Sequence, residues 1–281
     1  MSAVTRLGLC LPAAFGAEEA GPILPRLVDL GLAAERAGFD SLWVPDSTGE
    51  RGSHPGAALE AYTTLGALAV STTVARLGAL ASPVPGRAPA LLAKQVTTVD
   101  VLSGGRAVLG LRPAPWRLMG RRAQLERLAE AAQVCRALFR HELSTFTGRH
   151  FRVEQAANRP APVQVGGPPI LVAGAGGRGL LVVAARHADA VFMHSTPAVL
   201  RRRVAALAAL CRQAGREPGE VSVVAALDGA SSGWETGDRD GLVRTAAALR
   251  QAGAHAVVVQ ASATTPLDAV ERLGAALRDL A

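Results

Sequence analysis

The chain has 281 residues, 49% of them hydrophobic, and carries a formal net charge of +7. That length and apolar content suit a single large-cored domain over residues 1–281, with no charge block or low-complexity tail to suggest disorder and no uninterrupted apolar run able to span a bilayer, so no membrane partner is expected. Lys94 is the only lysine, and the arginines lie scattered along helix faces without interleaved aromatics, Arg201-Arg202-Arg203 being the densest run. This argues against a nucleic-acid partner, and solvated helix faces explain most of them, with attraction to a phosphorylated anionic cofactor as a secondary reading.

The first apolar run, Leu7–Leu11, reads as a strand; it is too short and too soon broken by Pro12 for a secretion signal, and a cytoplasmic location is expected. A helical stretch, Ile23–Ala37, follows and ends at Gly38. The second strand, Ser41–Val44, runs into Pro45-Asp46-Ser47 and a Gly-rich loop to about Ala57, before a second helix at Leu59–Val70. The third strand, Val74–Ala81, and the fourth, Arg106–Leu111, flank a helical pattern in which Leu91, Leu92, Gln95, Val96, Val99 and Leu102 recur at three- and four-residue spacing. Gly104-Gly105 closes that helix, as residues free to take positive φ should.

The fourth helix spans Leu118–Phe139. Residues Leu143–Pro168 break the rhythm: Thr145–Phe151 reads as a short hairpin, and the prolines beyond it deny helix. The alternation then resumes with strands at Ile170–Ala173, Ala190–Met193, Val221–Leu227 and Ala254–Gln260. The helices among them are Arg178–Arg186, Pro197–Ala214, a segment ending at Gln251, and Pro266–Leu280. Eight strands alternating with eight helices predict an α/β fold, a closed (β/α)8 TIM barrel with a hairpin inserted between the fourth helix and fifth strand. An open doubly wound sheet of the same elements is the alternative. Cys10, Cys135 and Cys211 are widely spaced inside these elements and read as buried thiols; with no CxxC or His/Cys cluster, no metal is expected.

In such barrels the site lies at the C-terminal ends of the strands. The candidates are therefore Pro12 to Phe15, Asp46 to His54, Ser82 to Arg87, Arg112 to Trp116, Gly174 to Gly179, His194 to Thr196, Asp228 to Trp234 and Ser262 to Thr265. His255 and His187 fall at the opposite end and read as structural. Gly174-Ala175-Gly176-Gly177-Arg178-Gly179 fits GxGxxG after a strand and at the opening of a helix. A nicotinamide-binding unit would want an acid at the end of the next strand, but that strand ends in His194. The better reading is a phosphate cradle in which bare backbone and a helix N-terminus approach an anion, with a plain tight turn as the bland alternative.

Three groups of residues, Lys94-Gln95, Thr98-Val99-Asp100 and Leu102-Ser103-Gly104-Gly105-Arg106, resemble the hallmark of the bacterial luciferase-like oxidoreductases. The stretch from Pro168-Pro169-Ile170-Leu171-Val172 to Ala188-Asp189 resembles that family's phosphate-binding unit. The resemblance covers about Leu7 to Leu280. It implies an eightfold barrel using reduced FMN or the deazaflavin coenzyme F-420 for hydride transfer to, or oxygenation of, a small organic substrate. Implied partners are a separate flavin reductase and a second copy of the chain. Asp46, Ser82, Arg112, Trp116, Gly174, Gly176, Gly177 and Arg178 become the expected cofactor contacts. Ser47 stands where the deazaflavin branch often has histidine, which leaves His54 or His194 to supply a proton.

The chain departs from the family after the fourth strand. A Gly-x-Gly and a long lid are usual there, whereas Gly110-Leu111-Arg112-Pro113-Ala114-Pro115-Trp116 passes almost directly into helix. The enzyme reading is therefore set against that of a non-catalytic homologue, a cofactor-binding or partner subunit whose pocket Arg112 and Pro113 fill.

Overall fold

The computed structural model describes residues 6–16, 21–46, 57–84, 86–113, 119–227 and 239–278. In chain order the elements are β1 (Leu7–Cys10), α1 (Ile23–Ala37), β2 (Ser41–Val44), α2 (Ala61–Ser71), β3 (Arg76–Ala79), β4 (Ser82–Val84), α3 (Pro89–Leu102) and β5 (Ala107–Pro113). Then come α4 (Arg121–Arg140), the hairpin β6 (Leu143–Thr147) and β7 (Arg152–Ala157), β8 (Ile170–Gly174), α5 (Arg178–His187), β9 (Ala190–Met193) and α6 (Pro197–Gln213). A 3-10 turn at Pro218–Glu220, β10 (Ser222–Leu227), α7 (Arg239–Gln251), β11 (Ala256–Gln260) and α8 (Leu267–Leu277) complete the fold.

The sheet runs β3-β2-β1-β11-β10-β9-β8-β5-β4, and a further pairing of β3 with β5 closes it on itself. Every pairing in this sheet is parallel, from Leu7 opposite Val257 round to Leu77 opposite Ala107, and this closure rejects the open doubly wound alternative. The hairpin is antiparallel and sits between α4 and β8, as expected. Apolar faces of the helices pack on the outside of the strands. A separate cluster including Trp43, Val108, Leu171, Phe192, Val224 and Val258 fills the barrel interior.

Trp43 sets the interior packing. Its side chain is fully buried, and its indole Nε1 donates to Ser41 Oγ at 3.0 Å. A Cβ on Gly8 would lie 2.8 Å from that Nε1, and one on Gly78 2.7 Å from its Cζ3, so the strands on either side carry glycine where they pass the ring.

The third barrel strand differs from the continuous Val74–Ala81 expected. It is split into β3 and β4 around Leu80-Ala81, whose peptide bond is cis. The carbonyl of Ala79 turns onto β5 at Gly110 and occupies the space where a Cβ there would sit. Strand β5 also runs two residues further than expected, and Arg112 pairs with Pro83 as part of the sheet.

The hallmark residues close the other end of the barrel. Asp100, fully buried on α3, accepts from the backbone N–H of Val163 at 2.7 Å and Gln164 at 3.1 Å, and from Gln164 Nε2 at 2.7 Å. Arg106 donates to the carbonyls of Ala69, Thr72, Ala75 and Ser103. His255 sits at this end too, with Nδ1 accepting from the Val223 N–H at 3.0 Å, in keeping with a structural role. Cys10, Cys135 and Cys211 are buried free thiols. No helix among the described residues is long and apolar enough to cross a membrane.

If the ring of Trp43 is what excludes a side chain from β1, Gly8→Ala destabilises the protein by about 1–3 kcal/mol, the usual cost of overpacking. Placed on Trp43→Leu, the same change costs less by at least about 0.5 kcal/mol, a coupling expected of touching residues. Denaturant unfolding of the four proteins measures the cycle, and strict additivity refutes the constraint.

Candidate functional site

The C-terminal ends of the strands enclose two adjoining cavities of about 570 and 410 Å³ that share Leu80, Phe192 and His194. The larger lies over the ends of β1, β10 and β11, with Cys10, Gln260 and Ser262 among its walls. Burial pushes the Cys10 thiol up to about 12 despite a hydrogen bond from Gln260, so it stays protonated and is no nucleophile. The smaller cavity runs from Leu80-Ala81 past Arg112 and Gln124 to Gly174-Ala175.

The glycine-rich turn opens beside this smaller cavity. Strand β8 ends at Gly174, Gly176 adopts φ +68°, and Gly177 caps α5 without a side-chain hydrogen bond. Like most helices of this fold, α5 has no side-chain cap, and the N–H groups that open its first turn can meet an anion. A Cβ on Gly177 would lie 2.5 Å from Arg121 Nη2, and one on Gly176 2.8 Å from Arg203 Cζ. Arg203 donates to the His194 carbonyl at 2.9 Å and to Ser195 Oγ. Arg121 and Arg178 stand in the first turns of α4 and α5, neither of which carries an acid there. Cations at helix N-termini oppose the dipole, and an anion held between them would reverse that penalty. The expected contacts Gly174, Gly176, Gly177 and Arg178 therefore come together, and Arg121 and Arg203 join them. Arg203 is not the solvated surface residue its Arg-Arg-Arg setting suggested, because the inner face of α6 turns it onto the cradle. The sequence carried no signal for Arg121, since a first turn without acid is common to α1 through α6.

Asp46 and Ser82 are placed differently. Asp46 is buried and accepts a two-pronged ion pair from Arg87, one contact being 3.1 Å. Arg87 also reaches Glu60 at 2.7 Å and lies 5.2 Å over the Tyr62 ring. Burial opposes charge on Arg87, but the Asp46 carboxylate outweighs it and raises its pKa. Ser82, fully buried, shares a 2.9 Å hydrogen bond with Tyr62, whose hydroxyl is itself pushed up by burial. Both expected contacts are held by these partners, and neither is among the residues lining the two cavities. Arg87, Tyr62 and Glu60 carried no sequence signal for it, since ion pairs between distant segments are set by the fold.

Arg112 lines the smaller cavity, half-buried, with Nε donating to the Ala81 carbonyl at 3.0 Å. It is held against the strand break, leaving space beside it, so it does not fill the mouth. His194 is exposed at the junction of both cavities, edge-on to Phe192 with centroids 5.4 Å apart. His54 and Trp116 lie outside the described residues. Among the described residues no cluster of His, Cys, Asp or Glu could hold a metal.

Comparison with known proteins agrees with the barrel fold. A family model described as luciferase-like monooxygenase matches residues 5–230. The chain is 30% identical to the 5,10-methylenetetrahydromethanopterin reductase of Methanolobus tindarius over 73% of its own length and 60% of the reductase. In structure it superposes on an F-420-dependent secondary alcohol dehydrogenase solved with an F-420–acetone adduct, at a TM-score of 0.80, 15% identity, and coverage of 99% and 98%. A long-chain alkane monooxygenase gives a TM-score of 0.81 at 14% identity, covering 100% of this chain and 92% of that one. With its closed barrel and a family match spanning most of its length, the chain belongs to the luciferase-like monooxygenase family.

Proposed function

We propose that the protein is an oxidoreductase that takes reduced F-420 or FMN at the barrel mouth and acts on a small organic substrate. The observation that carries this reading is the glycine turn opening α5, against which the Arg121 and Arg203 side chains lie, with Arg178 in the first turn of the helix. Bare backbone at Gly176 and Gly177 lies against the Arg203 and Arg121 guanidiniums, an arrangement that suits a phosphate group. When bound, the cofactor would supply hydride transfer or oxygen activation, which no side chain provides. The protein's share is to bind, orient and exclude water. The cradle and its arginines hold the phosphate, and Arg112 stands ready to meet an anionic edge of the ring. The larger, mainly apolar cavity receives the substrate. His194, at the junction, is the side chain on these walls suited to give or take a proton.

No carboxylate stands at the end of β9 to hold a nicotinamide ribose, which favours reducing equivalents arriving from a separate reductase. Val70, Val74, Val101 and Leu102 are exposed apolar side chains around the C-terminal ends of α2 and α3, a surface suited to a second copy of the chain. Sedimentation velocity should show a dimer that Val70→Lys with Leu102→Lys disperses; a monomeric wild type rejects the pairing.

Anaerobic titration with each cofactor, oxidised and reduced, tests the main reading. One of the reduced forms should bind. Arg203→Ala and Arg112→Ala should each weaken it by about 1.5–3 kcal/mol, the scale of a hydrogen bond to a charged group. Substitution of Gly176 is a poorer probe, because its positive φ and its contacts with Met193 and Arg203 would disturb the fold itself. Failure of the wild type to bind either cofactor, or binding that improves in Arg112→Ala, overturns the proposal.

With a turned-over acceptor in hand, His194→Gln should lower the rate by about 10²–10⁴-fold while leaving cofactor affinity intact. Turnover at the wild-type rate removes His194 from the proton-transfer role.

A further inference from the structure

The opposite end of the barrel carries a cavity of about 520 Å³ to which the cofactor reading assigns nothing. It lies among the C-terminal turns of α4 and α5 and the residues that follow α6. Four guanidiniums line it: Arg136 and Arg140 from α4, Arg186 from α5, and Arg216 beyond α6. His141 and His187 are the imidazoles on its wall, and Asp189 and Glu220 the carboxylates.

Two of the arginines are fixed in place. Arg136 pairs with Asp189 at 2.7 Å, and the same Asp189 oxygen accepts the Ile170 N–H at 2.7 Å. Arg216 donates to the carbonyls of Ala185 and Ala188 and pairs with Glu220 at 3.0 Å. The two carboxylates are thereby committed. Arg140 has only a 3.3 Å contact with the Gly166 carbonyl, and Arg186 has no ion-pair partner among the described residues. Helix C-termini do attract cations, which accounts for one basic side chain on each helix. It does not account for bringing two unpaired guanidiniums from different helices, beside two already paired, to one concavity.

We propose that this cavity is a second anion site, built for a small ligand bearing a phosphate or pyrophosphate group. Arg136 and Arg216 form its rigid wall, and Arg140 and Arg186 close on the ligand. The site is a half-open concavity bounded by α4, α5 and the residues after α6, which suits a small molecule, whereas a nucleic-acid backbone would need a continuous basic track. His187 faces the same arginines. Burial, and then the charges of Arg186, Arg136 and Arg216, lower its pKa. An anion seated among these arginines would reverse that effect, with His141, Arg140, Asp189 and Glu220 as the other charged or titratable groups facing the space.

Calorimetric titration of the whole chain with inorganic pyrophosphate tests the site, in an Arg203→Ala background so that the mouth cradle contributes little. Binding with a Kd below about 1 mM is expected. Arg140→Gln combined with Arg186→Gln should weaken it at least about tenfold, the scale of one charge-assisted hydrogen bond. These side chains are exposed, so the Tm without ligand should move by no more than about 2 °C; should the pair unfold the protein, Arg186→Gln alone serves. In NMR titrations the His187 pKa should rise when pyrophosphate is added. The proposal is overturned if no binding occurs up to about 10 mM, if the double variant binds as well as its parent, if sodium chloride at equal ionic strength has the same effect, or if His187 titrates unchanged.

Discussion

The barrel depends on one large ring being accommodated inside it. Trp43 is wholly enclosed, and its neighbours give way: β1 and β3 carry glycine where they pass the indole, while Ser41 satisfies its one donor. An interior packed to crystal-like density leaves no space below the ring. The two mouth cavities lie above it, between Leu80, Phe192 and the ends of the strands. The mouth is hollow where the layer beneath it is full.

A second glycine contact shapes the wall of that mouth. At Gly110 the missing side chain admits the Ala79 carbonyl, which breaks the third barrel strand into β3 and β4. The Ala81 carbonyl beyond the break takes the Arg112 Nε donor. The bulk that made the segment after Gly110 look obstructive is thus held against the sheet edge. Arg112 and Pro113 line the smaller cavity with room beside them.

The two ends of the barrel use charge in different ways. Below, Asp100 and Arg106 satisfy backbone groups where helices and strands turn, and their partners are internal. Above, Asp46 is neutralised by Arg87, while Arg121 and Arg178 sit at helix N-termini without acidic neighbours. Internally paired charge holds structure, and charge left against the local dipole favours a ligand. The basic cavity between α4 and α5 departs from this division, having unpaired guanidiniums at the structural end.

Local pattern by itself determined the alternation of strands and helices, the inserted hairpin and the glycine cradle. Each depends on neighbours a few residues apart, through hydrophobic period, turn chemistry or the freedom of Gly176 to take positive φ. It also placed His194 and Arg112 at the mouth, since a parallel barrel brings every strand's C-terminal end to one face. Only the tertiary structure decided that Asp46 and Ser82 are spent on Arg87 and Tyr62, that the third strand breaks opposite Gly110, and that Arg121 and Arg203 converge on the cradle from helices 82 positions apart in sequence (203 − 121). Those outcomes rest on contacts between distant segments, and such contacts leave no periodic trace in a single sequence.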